Sequence, residues 1–148
     1  MQLGLSLSGG GIRAAVFHFG LLHRLARSKN IEDIKFLSTV SGGSLAIALV
    51  YTLNGGVWPD SNKFITDIAP KLRQLLTNVH LQRSLLFRSA YKPWKVPFAR
   101  ANIMAETIRA KWNVNLSLKD LPDTPRWFIN TTCYETGKKS INIWNNSH

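Results

Sequence analysis

The chain has a single cysteine and no long apolar segment, which argues against a disulfide-stabilised protein and against a membrane-spanning one. Cys133 is the one cysteine among 148 residues, so no internal disulfide can form and we do not expect a disulfide-stabilised secreted scaffold. The longest apolar stretch, 45–53, is too short to cross a bilayer, which takes about 20 residues. The sequence also shows no secretory signal, so we expect a cytoplasmic protein.

Acidic residues are also scarce in this chain. Eight Asp and Glu residues stand against 19 Lys and Arg residues, which gives a formal net charge of +11. One interpretation of this charge is peripheral contact with an anionic membrane, and another is solubility alone. We expect no nucleic-acid partner, because the basic residues are spread along the chain and match no nucleic-acid-binding module. Residues 80–100 mix aromatic and basic side chains, which predicts a membrane-facing segment or an irregular surface helix with a loop.

What the chain does contain is a repeated order of local structure. An apolar strand-like run, a glycine turn and a helical pattern follow one another twice, which indicates a parallel sheet with helices packed against it. A β-hairpin is predicted near the end of the chain. The predicted strands and helices occupy 2–8, 13–28, 34–40, 44–53, 64–76, 103–112, 126–134 and 140–144. We therefore expect an α/β fold, and the length fits one domain.

The first glycine turn, residues 9–11, has the properties of an anion site. Consecutive glycines between a strand and a helix leave backbone N–H groups uncovered at the helix N-terminus. An acyl-transfer transition state needs such donors where its oxyanion forms. Arg13, one turn farther, is placed to hold this loop or to stabilise negative charge nearby. The alternative is an ordinary glycine turn that lets helix and strand pack closely.

The second glycine turn contains a candidate nucleophile, Ser41. A serine hydroxyl attacks well only when a base takes its proton and a tight strand-to-helix turn aims its oxygen. Gly42 and Gly43 let such a turn close without a steric clash. The usual elbow pattern has a glycine two residues before the serine and another two residues after it. Here Gly43 matches the second position, and Thr39 stands at the first.

Together the two turns resemble the patatin-like phospholipases over residues 3–53. The resemblance is carried by two segments, Ser8-Gly9-Gly10-Gly11-Ile12-Arg13 and Ser38-Thr39-Val40-Ser41-Gly42-Gly43-Ser44. It implies a three-layer α/β fold with a mainly parallel sheet, a Ser–Asp dyad, and phospholipids or other lipid acyl esters as substrates. It also implies Ser41 as the nucleophile and Gly43 in the elbow turn. The implied oxyanion site is Gly9, Gly10, Gly11, Arg13 and the N–H of Gly42.

The catalytic aspartate of that family lies in an Asp-Gly pair, and this chain contains no such pair. Each of its aspartates is followed by a residue other than glycine: Asp33, Asp60, Asp67, Asp120 and Asp123. We therefore expect residues 1–148 to be the N-terminal portion of a single acyl-hydrolase domain, incomplete at its C-terminus, with the base beyond residue 148. The C-terminal segment is then an implied partner, and the chain alone is expected to be inactive.

The sequence is also compatible with two other functions. A phosphate- or nucleotide-binding α/β domain also uses a glycine turn after a strand, with an acid such as Glu32 or Asp33 about 20 residues on. A catalytically inactive lipid-binding fragment fits if the base is absent. We expect no cofactor, and one cysteine with scattered histidines predicts no metal site. The histidines are predicted to be packed or solvated rather than part of a triad: His18, His23, His80 and His148.

Overall fold

The computed structural model describes residues 2–78, 121–132 and 139–143. The predicted segment 80–100, the predicted helix 103–112 and the turn of the predicted hairpin lie outside these ranges. Within the described residues, four strands form one sheet in the order β1-β2-β3-β4: β1 is Leu3–Leu7, β2 is Ile34–Val40, β3 is Arg126–Thr132 and β4 is Lys139–Ile143.

The first three strands are parallel, and β4 runs antiparallel to β3. Helix α1 (Gly11–Arg27) connects β1 to β2, and helix α2 (Gly42–Leu53) follows β2. The predicted α/β fold with a mainly parallel sheet is confirmed. Both helices begin two residues earlier than the sequence predicts, and each begins at a glycine. Gly11 has a φ of 65°, which glycine adopts at little cost, and Gly42 has no space for a Cβ.

A second helical segment follows α2 and contains the third predicted helix. It consists of α3 (Ser61–Lys63), one π-helical turn (Phe64–Ile68) and α4 (Ala69–Asn78). Its start is set by Asp60, whose carboxylate accepts a hydrogen bond from the N–H of Lys63 at 2.7 Å. An acceptor at this position satisfies an N–H that has no partner within the helix.

One face of the sheet is buried under these helices. Leu7, Leu37 and Trp127 lie on this face and belong to the same core as Leu22 of α1 and Val50 of α2. Side chains alternate along a strand, so the intervening residues point to the opposite face. That face is lined by Gly4, Ser6, Phe36, Ser38 and Phe128. The described helices thus cover one face, and a third layer is not found among the described residues.

Glu32 fastens the turn after α2 to the start of β2. Its carboxylate accepts hydrogen bonds from the N–H of Ser61 at 2.7 Å and from the Ser61 hydroxyl at 2.6 Å. Burial tends to raise the pKa of Glu32, but the bonds from Ser61 outweigh this effect, so the pKa lies below its ordinary value. A carboxyl pKa that is lower in the folded state stabilises the fold above the unfolded pKa, and this stability is lost as the pH falls.

We predict that Glu32→Gln lowers the free energy of unfolding by about 1 kcal/mol at pH 7, because an amide accepts weaker hydrogen bonds than an exposed carboxylate does. The difference from wild type should shrink as the pH falls through the lowered folded-state pKa of Glu32, because below it the carboxyl group is protonated in both states. Urea unfolding at a series of pH values measures this difference. Asp123→Asn removes an exposed carboxylate before β3 and serves as the control. An identical pH profile for both variants would contradict the role of Glu32.

Candidate active site

The carboxyl ends of β1 and β2 bring the two glycine turns side by side. These strands are parallel neighbours, and Leu7 is paired with Thr39. The carboxyl ends of both strands, where the chain leaves them, therefore lie side by side, and this end is here called the carboxyl edge of the sheet. Residues 8–10 then lead into α1, and Ser41 leads into α2. Two turns that are far apart in sequence therefore meet at one place in the fold.

Ser41 forms a sharp turn between β2 and α2. Its φ of 51° and ψ of −114° place a residue with a Cβ in the positive-φ region that such residues rarely adopt. Strain of this kind costs of order 1–3 kcal/mol and persists only where the surrounding structure enforces it. The Ser41 side chain is exposed at the edge of the sheet. A strained, exposed serine at a strand-to-helix turn is the arrangement of a nucleophile elbow.

The predicted oxyanion loop lies directly against this elbow. A Cβ built on Gly9 would lie 3.2 Å from the Cβ of Ser41. A Cβ built on Gly42 would overlap the carbonyl oxygen of Gly11, which is a backbone atom that cannot swing aside. The backbone contact between the turns therefore requires glycine at position 42, and a Cβ at Gly9 would crowd the Cβ of Ser41.

Gly43 seats the first turn of α2 on the end of β1. A Cβ at this position would lie 2.6 Å from the carbonyl oxygen of Leu7 and 2.8 Å from its Cβ. In the facing loop, Gly10 has a φ of 134°, a conformation that glycine adopts at little cost. The predicted elbow residue Gly43 and loop residue Gly10 thus both serve the contact between the turns.

The two helix N-termini favour negative charge at this edge of the sheet. Neither α1 nor α2 has an acidic residue in its first turn or a side-chain hydrogen bond at its N-cap. The first N–H groups of a helix have no partner within the helix, and the helix dipole adds partial positive charge there. Arg13 lies in the first turn of α1 with its side chain exposed. An oxygen that gains negative charge beside Ser41 would be stabilised by these groups.

The buried hydroxyl of Thr39 ties the elbow to β3. Nε1 of Trp127 donates to Oγ1 of Thr39 at 2.8 Å, and Oγ1 of Thr39 lies 2.8 Å from Oγ of Ser44 in the first turn of α2. The indole N–H can only donate, so Thr39 accepts that bond, while either hydroxyl can be the donor between Thr39 and Ser44. Tyr51 of α2 stacks on Trp127 with ring centroids 5.8 Å apart. Thr39, a departure from the elbow pattern in sequence, is thus a structural anchor.

Asn130, which also lies on β3, is hydrogen-bonded to the last residues of β2. Its Nδ2 donates to Oγ of Ser38 at 3.0 Å and to the carbonyl oxygen of Thr39 at 3.1 Å. Asn130 is paired with Val40, the residue immediately before the elbow. Neither Asn130 nor Trp127 was predicted from the sequence. No local pattern marks them, because their role depends on the pairing of β3 with β2.

His18 of α1 forms a hydrogen bond with the start of the first glycine turn. Its Nε2 lies 2.9 Å from the carbonyl oxygen of Ser8, so this nitrogen carries the proton and donates. The ring is buried, and its Nδ1 has no hydrogen-bond partner among the described residues. Of the two predicted states, packed or solvated, His18 is thus packed. His23 is half-buried on α1, and His80 and His148 lie outside the described residues.

No hydrogen bond joins Ser41 to an aspartate in the part of the chain that the structure describes. Asp33 and Asp123 lie just before β2 and β3, at the amino ends of these strands. The elbow lies at the carboxyl ends, about 20 Å away for strands of this length. Asp60 caps α3. Asp67 accepts a hydrogen bond from the hydroxyl of its neighbour Thr66 at 2.7 Å.

The site thus has a strained serine at the N-terminus of α2 and a glycine loop packed against it at the N-terminus of α1. This arrangement is typical of α/β acyl hydrolases with a serine nucleophile. The chain belongs to the patatin-like phospholipase family, whose family model matches residues 5–137. No curated protein and no solved structure matches it significantly. Membership of this family supports a lipid acyl hydrolase kind of function with lipid substrates. None of the described helices combines the length and apolar character that crossing a membrane requires.

We predict that Gly43→Ala lowers the free energy of unfolding by about 2–3 kcal/mol, because the new methyl group must displace the backbone of Leu7. Gly20→Ala is the matched control, since a Cβ at Gly20 in α1 meets no atom within 4 Å. That change should instead stabilise the protein by up to about 1 kcal/mol. Urea unfolding of both variants measures the two effects. Equal stability of the two variants would show that α2 does not sit tightly on β1.

A second prediction concerns the Thr39 hydroxyl. Thr39→Val keeps the volume but leaves the buried Nε1 of Trp127 without an acceptor, so we expect a loss of about 2 kcal/mol in the free energy of unfolding. Thr39→Ser keeps the hydroxyl and should lose less than half as much. Chemical denaturation measures both variants. A Thr39→Val variant that is no less stable than Thr39→Ser would show that the hydrogen bond to Trp127 adds little stability.

Proposed function

We propose that this chain carries the nucleophile and the oxyanion site of a serine acyl hydrolase that cleaves phospholipids or other lipid acyl esters. The observation that carries the proposal is the contact between Gly9 and Ser41, in which the serine is held at a φ of 51°. Membership of the patatin-like phospholipase family supports lipid esters as the substrate class.

In the first half of the proposed reaction, Oγ of Ser41 attacks the carbonyl carbon of the ester, and its proton passes to a carboxylate. The carbonyl oxygen becomes an oxyanion, which accepts hydrogen bonds from the N–H groups of residues 9–11 and of Gly42, with Arg13 nearby. Loss of one such donor typically raises the barrier by about 3–4 kcal/mol. The intermediate then collapses, the alcohol leaves with the proton, and the acyl group stays on Ser41.

In the second half, water attacks the acyl-serine and gives its proton to the same carboxylate. The fatty acid leaves, and the proton returns to Oγ of Ser41. A carboxylate without a histidine is a weak base for a serine hydroxyl, so alignment and oxyanion stabilisation must supply much of the barrier reduction. Contact between the two turns through backbone atoms suits this demand, because backbone donors keep their positions.

We infer that the base is an aspartate outside residues 1–148. Two observations support this inference: the sequence contains no Asp-Gly pair, and the described aspartates Asp33 and Asp123 lie at the far edge of the sheet. Asp120 lies outside the described residues and precedes leucine.

We predict that Ser41→Ala in the intact enzyme lowers ester hydrolysis by about 10⁴-fold or more, because alanine has no hydroxyl to attack the ester. The assays are release of product from a soluble short-chain ester and from phospholipid vesicles. An organophosphonate should label wild type at Ser41, as mass spectrometry of the peptide shows, and should leave the variant unlabelled. Ser28→Ala, at the C-terminal end of α1, is the control and should keep wild-type rates.

Retained turnover in Ser41→Ala would end the proposal. Residues 1–148 alone should show little or no turnover, and strong activity would place the base within them. Tight nucleotide binding without labelling of Ser41 would favour the phosphate- or nucleotide-binding alternative. Lipid binding by the intact protein without labelling or turnover would favour a catalytically inactive lipid-binding protein.

A further inference from the structure

Helix α1 has a buried face and, opposite to it, an exposed face with a regular pattern. The buried residues pack into the core and are Ala15, His18, Phe19, Leu22 and Ala26. The exposed residues recur at spacings of four and three, which places them in one stripe along the helix. This stripe, here called the basic face, consists of Arg13, Phe17, Gly20, Arg24 and Arg27.

The charge on the basic face is of one sign. Helix α1 contains three arginines and neither aspartate nor glutamate. All three arginine side chains are exposed. A guanidinium group forms paired hydrogen bonds with phosphate and is weakly hydrated, so it binds phosphate groups well at a surface. The face therefore fits an array of phosphates.

Exposed apolar side chains accompany these arginines. Phe17, between Arg13 and Arg24, is 70% exposed, and Val16 beside it is 46% exposed. A helix with arginines around exposed apolar side chains lies in the plane of a membrane, with the apolar groups at the acyl boundary and the cations at the phosphates. Val16 favours a lipid surface over RNA, because an aliphatic side chain gains from an apolar layer and cannot stack on a base.

The basic face begins at the candidate active site. Arg13 follows Gly11 by two residues, and the carbonyl group of Gly11 touches Gly42 in the elbow. From Arg13 to Arg27 the face extends about 21 Å along the helix axis. We propose that the basic face lies on the headgroup surface of an anionic membrane and brings the Ser41 turn to lipid ester groups. The part concerning delivery of the ester rests on the proposed hydrolase function, and the binding itself does not.

The test is sedimentation of the full chain with vesicles of phosphatidylcholine, alone or mixed with phosphatidylglycerol. Wild type should bind the mixed vesicles more tightly, and added salt should weaken this binding. The double variant Arg24→Gln/Arg27→Gln should bind the mixed vesicles about thirty-fold more weakly, because each cation near an anionic surface strengthens binding about five-fold. Phe17→Ala should weaken the same binding by about ten-fold.

Two controls match these variants. Lys71→Gln/Arg73→Gln removes the same charge from the exposed surface of α4, and Val57→Ala removes a 58% exposed apolar side chain after α2. Both should bind nearly as wild type does. Equal losses in the two double variants would mean that net charge alone drives binding, and this would overturn the proposal. Thermal unfolding followed by circular dichroism verifies that each variant is folded.

Hydrolysis of a soluble short-chain ester by the intact enzyme separates this inference from the proposed function. If the ester is cleaved while the basic-face variants bind vesicles as wild type does, the inference is wrong and the hydrolase function stands. If vesicle binding depends on the basic face but no ester is cleaved, the inference stands and the function is wrong. Loss of single-stranded RNA binding in these variants, with vesicle binding unchanged, would assign the face to nucleic acid and overturn the inference.

Discussion

The site depends on one steric constraint, the contact between the backbone of α2 and the end of β1. Gly42 touches the carbonyl group of Gly11, and Gly43 touches that of Leu7, with no space for a Cβ at either position. Because these are backbone contacts between neighbouring parallel strands and their helices, they leave little freedom for either turn. The same constraint holds Gly9 against Ser41, so the geometry of the site follows from it.

A strained elbow needs support from outside the turn, and β3 supplies it. The indole of Trp127 donates to Thr39, the hydroxyl of Thr39 is hydrogen-bonded to that of Ser44, and Asn130 donates to the carbonyl group of Thr39. Buried hydrogen bonds of this kind are costly to break, because each lost partner leaves a polar group without water. The strain at Ser41 is therefore retained by contacts on both sides of it: the glycine loop before α1 and the polar groups of β3.

Helix α1 combines three roles because its faces differ. Its buried face completes the core, its N-terminus follows the glycine loop, and its exposed face carries arginines around Phe17. His18 ties this helix back to Ser8 at the end of β1. A surface that binds along α1 would therefore be connected rigidly to the loop that touches Ser41.

The order of strands and helices, both glycine turns and the candidate nucleophile Ser41 could be predicted from the sequence, because strand-turn-helix signals are local. The register of the sheet could not. It brings Trp127 to Thr39 across 88 positions, and no pattern of nearby residues encodes such a pairing. The lack of an Asp-Gly pair is visible in the sequence, but only the fold places Asp33 at the edge away from the elbow. The sequence thus determined which residues are candidates for the chemistry, whereas the tertiary structure decided how they meet, because steric contact between distant segments depends on the whole sheet.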